Sequence, residues 1–298
     1  MHTRHGMTPI CPNSACYSFG SKNFVRKNGR FYRRCESRYI ARFICLQCKK
    51  SFSHATGTLE YRQRKRRENS ILRNLLASGV SLRRSAFILG VSRTTIDRKL
   101  IYLSKKARLS QQDFLKSIQG TVTDMQFDDL ITTEHTKLKP LTVSLAVDKK
   151  RRFILGAEVG KIPAFGHLAE LSRRKYGMRP NDHQKTLDNL FKTIAPALIE
   201  KPLIESDEHS LYPFVVKKYA PRAEHVRHKG GRGCIVGQGE LKKLARDPLF
   251  TLNHTCAMLR ANINRLIRKT WCTNKKIERL KMHLDIFIDF YNQSYLKS

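Results

Sequence analysis

The spacing of apolar residues along this chain changes from strand-like to helical and back again. In FVRKNGRFYRRCESRYIARFI (24–44), aromatic and aliphatic residues alternate with basic ones at the period of two that marks strands, and Asn28-Gly29 predicts the turn of a β-hairpin. From residue 70 the period lengthens. SILRNLLASG (70–79) and SLRRSAFILG (81–90) carry apolar residues at helical spacing, and each ends at a Gly suited to a helix C-terminus. In VSRTTIDRKLIYLSKKA, Ser92 is placed to cap a third helix with Ile96, Leu100 and Leu103 on one face. Strand spacing returns near 121, in TVTDMQFDDLITT. LTVSLAVD (141–148) and RRFILGAEVG (151–160) then predict a hairpin around Asp148-Lys149-Lys150. A helix is expected over 182–198, a fourth strand at about 201–206 and a fifth in AEHVRH (223–228). After a Gly-rich loop and a short helical run, ELKKLA, amphipathic helices are expected over about 251–270 and 275–292. The order predicts a mixed α/β fold, one sheet flanked by helices, preceded by a small hairpin unit and an all-α unit.

Charge narrows the choice of partner. The chain has 58 Lys+Arg against 24 Asp+Glu, a formal net charge of +34, and a nucleic acid is the commonest large polyanion for such a surface. The excess is uneven: residues 1–110 hold 25 basic and 4 acidic side chains, and residues 111–298 hold 33 and 20. The first third is the stronger electrostatic anchor, and the acids that chemistry would use lie in the rest. No apolar run reaches the length of a membrane span and no signal-peptide pattern opens the chain, so a soluble, cytoplasmic protein is expected.

Five of the eight Cys fall within the first 48 residues, which argues for a local metal site better than for a disulfide framework. Cys11 and Cys16 in CPNSAC, with Cys45 and Cys48 in ICLQC, form two pairs flanking the predicted hairpin, as in a zinc ribbon. Four thiolates would fill a tetrahedral Zn2+ shell, so the role is structural. Cys35 is an alternative ligand, and His54 a further spare.

After the basic linker YRQRKRREN (61–69), the two short helices on either side of Gly90-Val91-Ser92 match a helix-turn-helix arrangement. Arg93, Thr94 and Thr95 would face base edges, while Arg98, Lys99, Lys105 and Lys106 would meet phosphates. A helical linker without DNA contact is the plainer alternative.

Clustered acids in so basic a chain suit an enzyme acting on phosphates, since carboxylates hold divalent cations. The acids stand in FDDL (127–130) and SDEHSLYP (206–213), and NHTCAMLRANINRL (253–266) begins a late helix. On these stretches, and on the strand order with a zinc ribbon and helix-turn-helix in front, nearly the whole chain resembles the DDE-type transposases of bacterial insertion sequences. The resemblance implies a zinc ribbon over 1–60, a helix-turn-helix domain over 61–118 and an RNase H-like catalytic domain over 119–298. By position, the family's first two acids correspond to Asp128 and Asp207. Where the family usually has Glu at the start of the late helix, this chain has Asn253; Glu240 competes as third ligand. The implied activity is binding of the element's terminal inverted repeats, followed by cleavage and strand transfer using Mg2+ or Mn2+. The implied setting is a homo-oligomer on double-stranded DNA, in the bacterial nucleoid.

Other readings stay open for single residues. Asp148 suits a hairpin turn, Asp207-Glu208 a helix N-cap, and Tyr212 either packing or the nucleophile of a tyrosine recombinase. Trp271 suits core capping better than base stacking. A catalytically dead DNA-binding derivative and a zinc-ribbon transcriptional regulator are the rival functions.

Overall fold

A computed structural model of the chain describes residues 9–229, 247–266, 273–294 and 296. Glu240 and its helical run, Cys234, Arg268, Lys269, Trp271 and Cys272 lie outside the described residues, as does the side chain of Cys35. The chain divides into two compact units, 1–71 and 72–298.

In the first unit, β1 (Val25–Arg33), β2 (Arg38–Cys45) and β3 (Ser51–Phe52) form an antiparallel sheet in that order. Asn28-Gly29 is not the hairpin turn. β1 runs through it, and the pairing with β2 shifts register between Lys27 and Arg30. Gly29, with φ of 71°, accommodates the bulge that the sequence pattern suggested as a reversal. The chain turns instead at 34–37, where Arg33, Arg38 and Arg66 all pair with Glu36. The buried cluster here is Cys11, Cys16, Phe43, Cys45 and Phe52, too small a core to hold a unit of this size without a cross-link.

In the helical part, α1 (Glu68–Ala77), α2 (Leu82–Ile88) and α3 (Arg93–Ser117) follow the predicted spacing. Ser81 and Ser92 cap α2 and α3 by accepting the N–H groups of Arg84 and Thr95. Ile96, Leu100 and Leu103 are buried on the expected face, with Leu72, Leu76 and Leu82. At 25 residues, α3 is far longer than a recognition helix needs to be. Its later turns pack along α8 (Ile277–Gln293): Ile286 joins the helical core, and Asp285 accepts from Ser104 and pairs with Arg108.

The sheet of the second unit consists of β4 (Val122–Glu134), β5 (Thr136–Asp148), β6 (Ile154–Lys161), β7 (Leu198–Asp207) and β8 (Glu224–His228). Their spatial order is β6-β5-β4-β7-β8. The β4-β5-β6 meander is antiparallel, whereas β7 runs parallel to β4, and β8 parallel to β7. The β5-β6 turn is stabilised by Asp148, which accepts the N–H groups of Lys150 and Arg151 and pairs with the Arg151 guanidinium. Asp148 is thus a turn residue.

Helices α4 (Leu168–Tyr176), α5 (His183–Ile194), α6 (Tyr212–Tyr219) and α7 (Phe250–Asn262) complete the mixed α/β architecture. α5 and α6 cover one face of the sheet, packing on Met125, Phe127, Ala146 and Leu155. α7 and α8 cover the other, on Leu130, Leu141, Val143 and Leu145. Successive residues of β4 therefore face different helical layers. β4 pairs with β7 only as far as Gln126↔Glu205, and beyond that point the parallel strands part. The gap at their carboxyl ends is the place where open α/β sheets commonly bind ligands. Among the described residues, no helix is long and apolar enough to cross a membrane.

Helix α5 approaches the sheet closely at Gly160, where an added Cβ would overlap the Thr186 hydroxyl and press on Asp182. Gly160→Ala is expected to lower stability by about 1–3 kcal/mol through overpacking. Urea denaturation checks this; a midpoint unchanged from wild type would refute the close fit.

Candidate metal sites

The four predicted zinc ligands come together. The Cys11, Cys16, Cys45 and Cys48 sulfurs all lie within 4.8 Å of one another, and the first three residues are buried. Sγ to Sγ is 3.9 Å for Cys11–Cys48 and for Cys16–Cys45. Two thiolates bound about 2.3 Å from one tetrahedral ion stand about 3.8 Å apart, so the quartet can hold a structural zinc. The Cys45 thiol is held below its ordinary pKa by the Cys48 backbone N–H and the Ser18 hydroxyl, which favours the thiolate that a metal requires. His54 stands outside the quartet, against the Phe43 ring. Among the described residues this is the only group of three or more His, Cys, Asp or Glu with metal-like spacing.

The second site is built around adjacent acids on β4. Asp128 and Asp129 are register partners of Leu145 and Ser144, so they start on opposite faces of the sheet. Asp129 points toward the α5 side and has no free capacity. It accepts from Thr142 (2.7 Å), Ser144 (2.5 Å), Tyr212 (2.7 Å) and His183 Nε2 (2.5 Å). Burial works to raise its pKa, but His183, Ser144 and Thr142 outweigh it and hold the carboxyl below its ordinary value. Asp129 is therefore a fixed buried anion that anchors its neighbours.

Asp128 is the open carboxylate. Its Oδ1 receives the Asp129 N–H (2.7 Å) and the Tyr212 hydroxyl (3.0 Å); among the described residues, Oδ2 has no donor. Burial first, and then the charges of Asp207 and Asp129, push the Asp128 pKa up to about 6. Asp207, at the carboxyl end of the neighbouring parallel strand, is thus close enough for its charge to be felt. Its Oδ1 accepts the His209 N–H, a turn interaction rather than a helix cap, and its Oδ2 likewise has no donor among the described residues. Glu208 is exposed. Among the described residues no cation pairs with Asp128 or Asp207, so the repulsion between them is left unrelieved.

α7 covers the Asp128 side of the sheet. Burial first, and then the Asp128 charge, push the Cys256 thiol up to about 12, so this turn of α7 lies within the field of that acid. Asn253 precedes Cys256 by one turn on the same stripe of the helix. The Asn253 amide donates to Asp247 Oδ2 (2.8 Å), and its carbonyl oxygen accepts no hydrogen bond among the described residues. Asp247 was not singled out by sequence. An Asp before Pro at the approach to a helix is the local signal, and it does accept the Leu249 N–H there.

α7 is held in place by Gln126, fully buried on β4. Its amide nitrogen donates to Glu205 (2.9 Å) and the Pro248 carbonyl (2.8 Å), and its oxygen accepts the Leu252 N–H (3.1 Å). Sequence reasoning missed Gln126, because a Gln two residues before an Asp carries no motif.

Tyr212 is 1% exposed and its hydroxyl is shared between Asp128 and Asp129, whose charges, after burial, raise its pKa. It packs in the core and holds both carboxylates, the packing alternative for this residue. The residues expected to meet DNA are split. Arg93, Thr94 and Arg98 are exposed, with Arg93 paired to Asp97, and the Thr95 hydroxyl bonds to that of Ser92. Lys99 is a correction: at 3% exposure it lies beneath the helix surface and cannot reach a phosphate. No protein-family model matches this chain, and a search of curated proteins finds none significantly similar.

Two outcomes follow from these geometries. Cys45→Ser is expected to drop the zinc content from near one per chain to near zero and to unfold 1–71, read by metal analysis and by the loss of dispersed amide signals. Asp128 titrates at 3.8 unfolded and at about 6 folded, so the cost of its charge is absent at low pH and complete above pH 6. Asp128→Asn is therefore expected to stabilise the metal-free protein by roughly 2–3 kcal/mol at pH 7.5 and by little at pH 3.5. Thermal unfolding across pH checks this, and a pH-independent difference would refute it.

Proposed function

We propose that this chain is a DDE-type transposase: a zinc ribbon and helix-turn-helix recognise the terminal inverted repeats of an insertion sequence, and an RNase H-like domain cuts and joins the DNA strands. The observation that carries the reading is the pairing of Asp128 with Asp207. They are 79 residues apart in sequence, lie at the parting ends of parallel strands, feel each other's charge, and each keep an open oxygen. Support also comes from the strand order β6-β5-β4-β7-β8, an antiparallel meander with two further strands parallel to its first, which is the order an RNase H-like core requires. The +34 charge suits a polyanionic substrate.

Asp128 and Asp207 would hold Mg2+ or Mn2+, and the Asn253 carbonyl would contribute a neutral third ligand. Such ions, when bound, activate an attacking hydroxyl and stabilise the leaving oxygen of an in-line phosphoryl displacement. The protein's own contribution is positioning. Tyr212 and the Asp129 N–H fix one oxygen of Asp128, which leaves the other turned to the cleft. Gln126 sets the first turn of α7, and Asp247 holds the Asn253 amide so that its carbonyl is the free end. The Asp247 carboxylate also brings a negative charge next to a ligand that lacks one. Glu240 lies outside the described residues and stays as the competing ligand.

A second reading, a DNA-binding protein that has lost catalysis, is favoured by one feature: Asn253 stands where a carboxylate would bind the cation more tightly. Strand transfer on DNA bearing the element's ends, in Mg2+ or Mn2+, decides between them. Asp128→Ala and Asp207→Ala are each expected to lower the rate at least about 100-fold with DNA binding retained, and Asn253→Ala to lower it less. Activity surviving both Asp substitutions would overturn the metal assignment, and inactivity of the wild type would favour the second reading. Loss with Glu240→Ala but not with Asn253→Ala would move the third ligand.

A further inference from the structure

Between β6 and α5 the chain leaves the sheet for some twenty residues, 162–181, and returns to its starting point. The base of this excursion is closed. The Asp182 N–H donates to the Lys161 carbonyl (2.8 Å), and Arg179 reaches Glu134 and the carbonyls of Ile162 and Pro140. Its helix, α4, rests on β5 through Ser172, whose hydroxyl donates to the Leu138 carbonyl, and through Tyr176, whose ring lies under the Lys139 ammonium. The excursion is therefore held on the sheet at several points.

What it presents outward makes few contacts within the fold, the Lys175 ammonium 5.7 Å from the Tyr176 ring centroid being one. Arg173, Arg174 and Lys175 are exposed on the last turn of α4, and among the described residues none has an acid within salt-bridge distance. One cation there would satisfy the helix C-terminus. Phe165 is 65% exposed and Met178 is 88% exposed, on the two sides of this turn in sequence. Cationic side chains with flanking bare apolar groups are the composition of surfaces that grip nucleic-acid backbones and lean on their bases.

Position gives the surface its meaning. Arg179 ties the excursion to Glu134, at the carboxyl end of the strand that carries Asp128 six residues earlier, and α5 then starts with His183 on Asp129. We infer that the α4 excursion is a DNA-docking platform. Arg173, Arg174 and Lys175 contact phosphates of the duplex whose reacting bond faces Asp128, and Met178 lies against the same duplex. The inference rests on the DNA-processing reading and assigns it a contact element outside 1–110.

The test measures binding of a 40-base-pair duplex by the full-length protein without added divalent cation, so that catalysis plays no part. Neutralising Arg173, Arg174 and Lys175 to Ala together is expected to weaken binding at least about 10-fold at moderate salt and to reduce the slope of log K against log salt by about 2–3. All three are exposed, and an unchanged thermal midpoint shows that the fold is intact. A photocrosslinking side chain at Met178 is expected to give a protein–DNA adduct. Unchanged affinity and slope, or weaker binding at an unchanged slope, overturns the inference, as does a crosslink to a second copy of the chain in place of DNA. Failure of the wild type to bind any duplex would sink the transposase reading itself, whereas loss of strand transfer with this platform intact would not.

Discussion

Two adjacent carboxylates on one buried strand are the constraint around which the second unit is organised. A charge placed inside a protein costs several kcal/mol unless it is paired or hydrogen-bonded. The chain resolves the cost differently at the two positions. Asp129 is surrounded by donors from β5, α5 and α6, and becomes a fixed anion. Asp128 receives enough to be oriented and too little to be neutralised. Tyr212 couples the two, because its single hydroxyl serves both carboxylates and its ring packs on Phe127 of the same strand. Asp207 across the cleft adds its own negative charge, which raises the Asp128 pKa further.

The same economy of positioning appears on the other face of the sheet. Gln126 has one amide and no net charge, yet it links β4 to Glu205 of β7 and to the first turn of α7. Glu205 in turn is paired with Lys149 and His228. Because the hydrogen bonds are buried, each is costly to lose, and the start of α7 is held as firmly as the strands. Asn253 inherits that rigidity. Its amide is held in turn by Asp247.

From Leu72 on, the helices α1–α3 belong to the same compact unit as the sheet. The length of α3 and its packing on α8 join the helical core to the layers around the five-stranded sheet through Ile286, Asp285 and Arg108. In the Cys-rich unit the cross-link is of another kind: four sulfurs stand where a larger protein would place a core.

The sequence by itself determined whatever depends on neighbours along the chain. Apolar periodicity marked the strands and most of the helices, Ser92 announced the start of α3, and the Cys spacing announced the quartet. Asp128 and Asp207 were marked only by the resemblance to a family whose acids stand on the first strand and after the fourth. Tertiary structure decided what depends on which face is covered and by what. Asp128 and Asp129 are indistinguishable in FDDL. Only the donors on β5, α5 and α6, from 13 to 83 residues away, make one closed and leave the other open. Lys99 looked like a surface cation until α3 was seen to be packed around it, and Asn28-Gly29 looked like a turn although β2 pairs past it. α4 went unseen because SRRKY has too little apolar spacing to signal a helix. Its anchors, Leu138, Lys139 and Glu134, are supplied by strands more than thirty residues earlier.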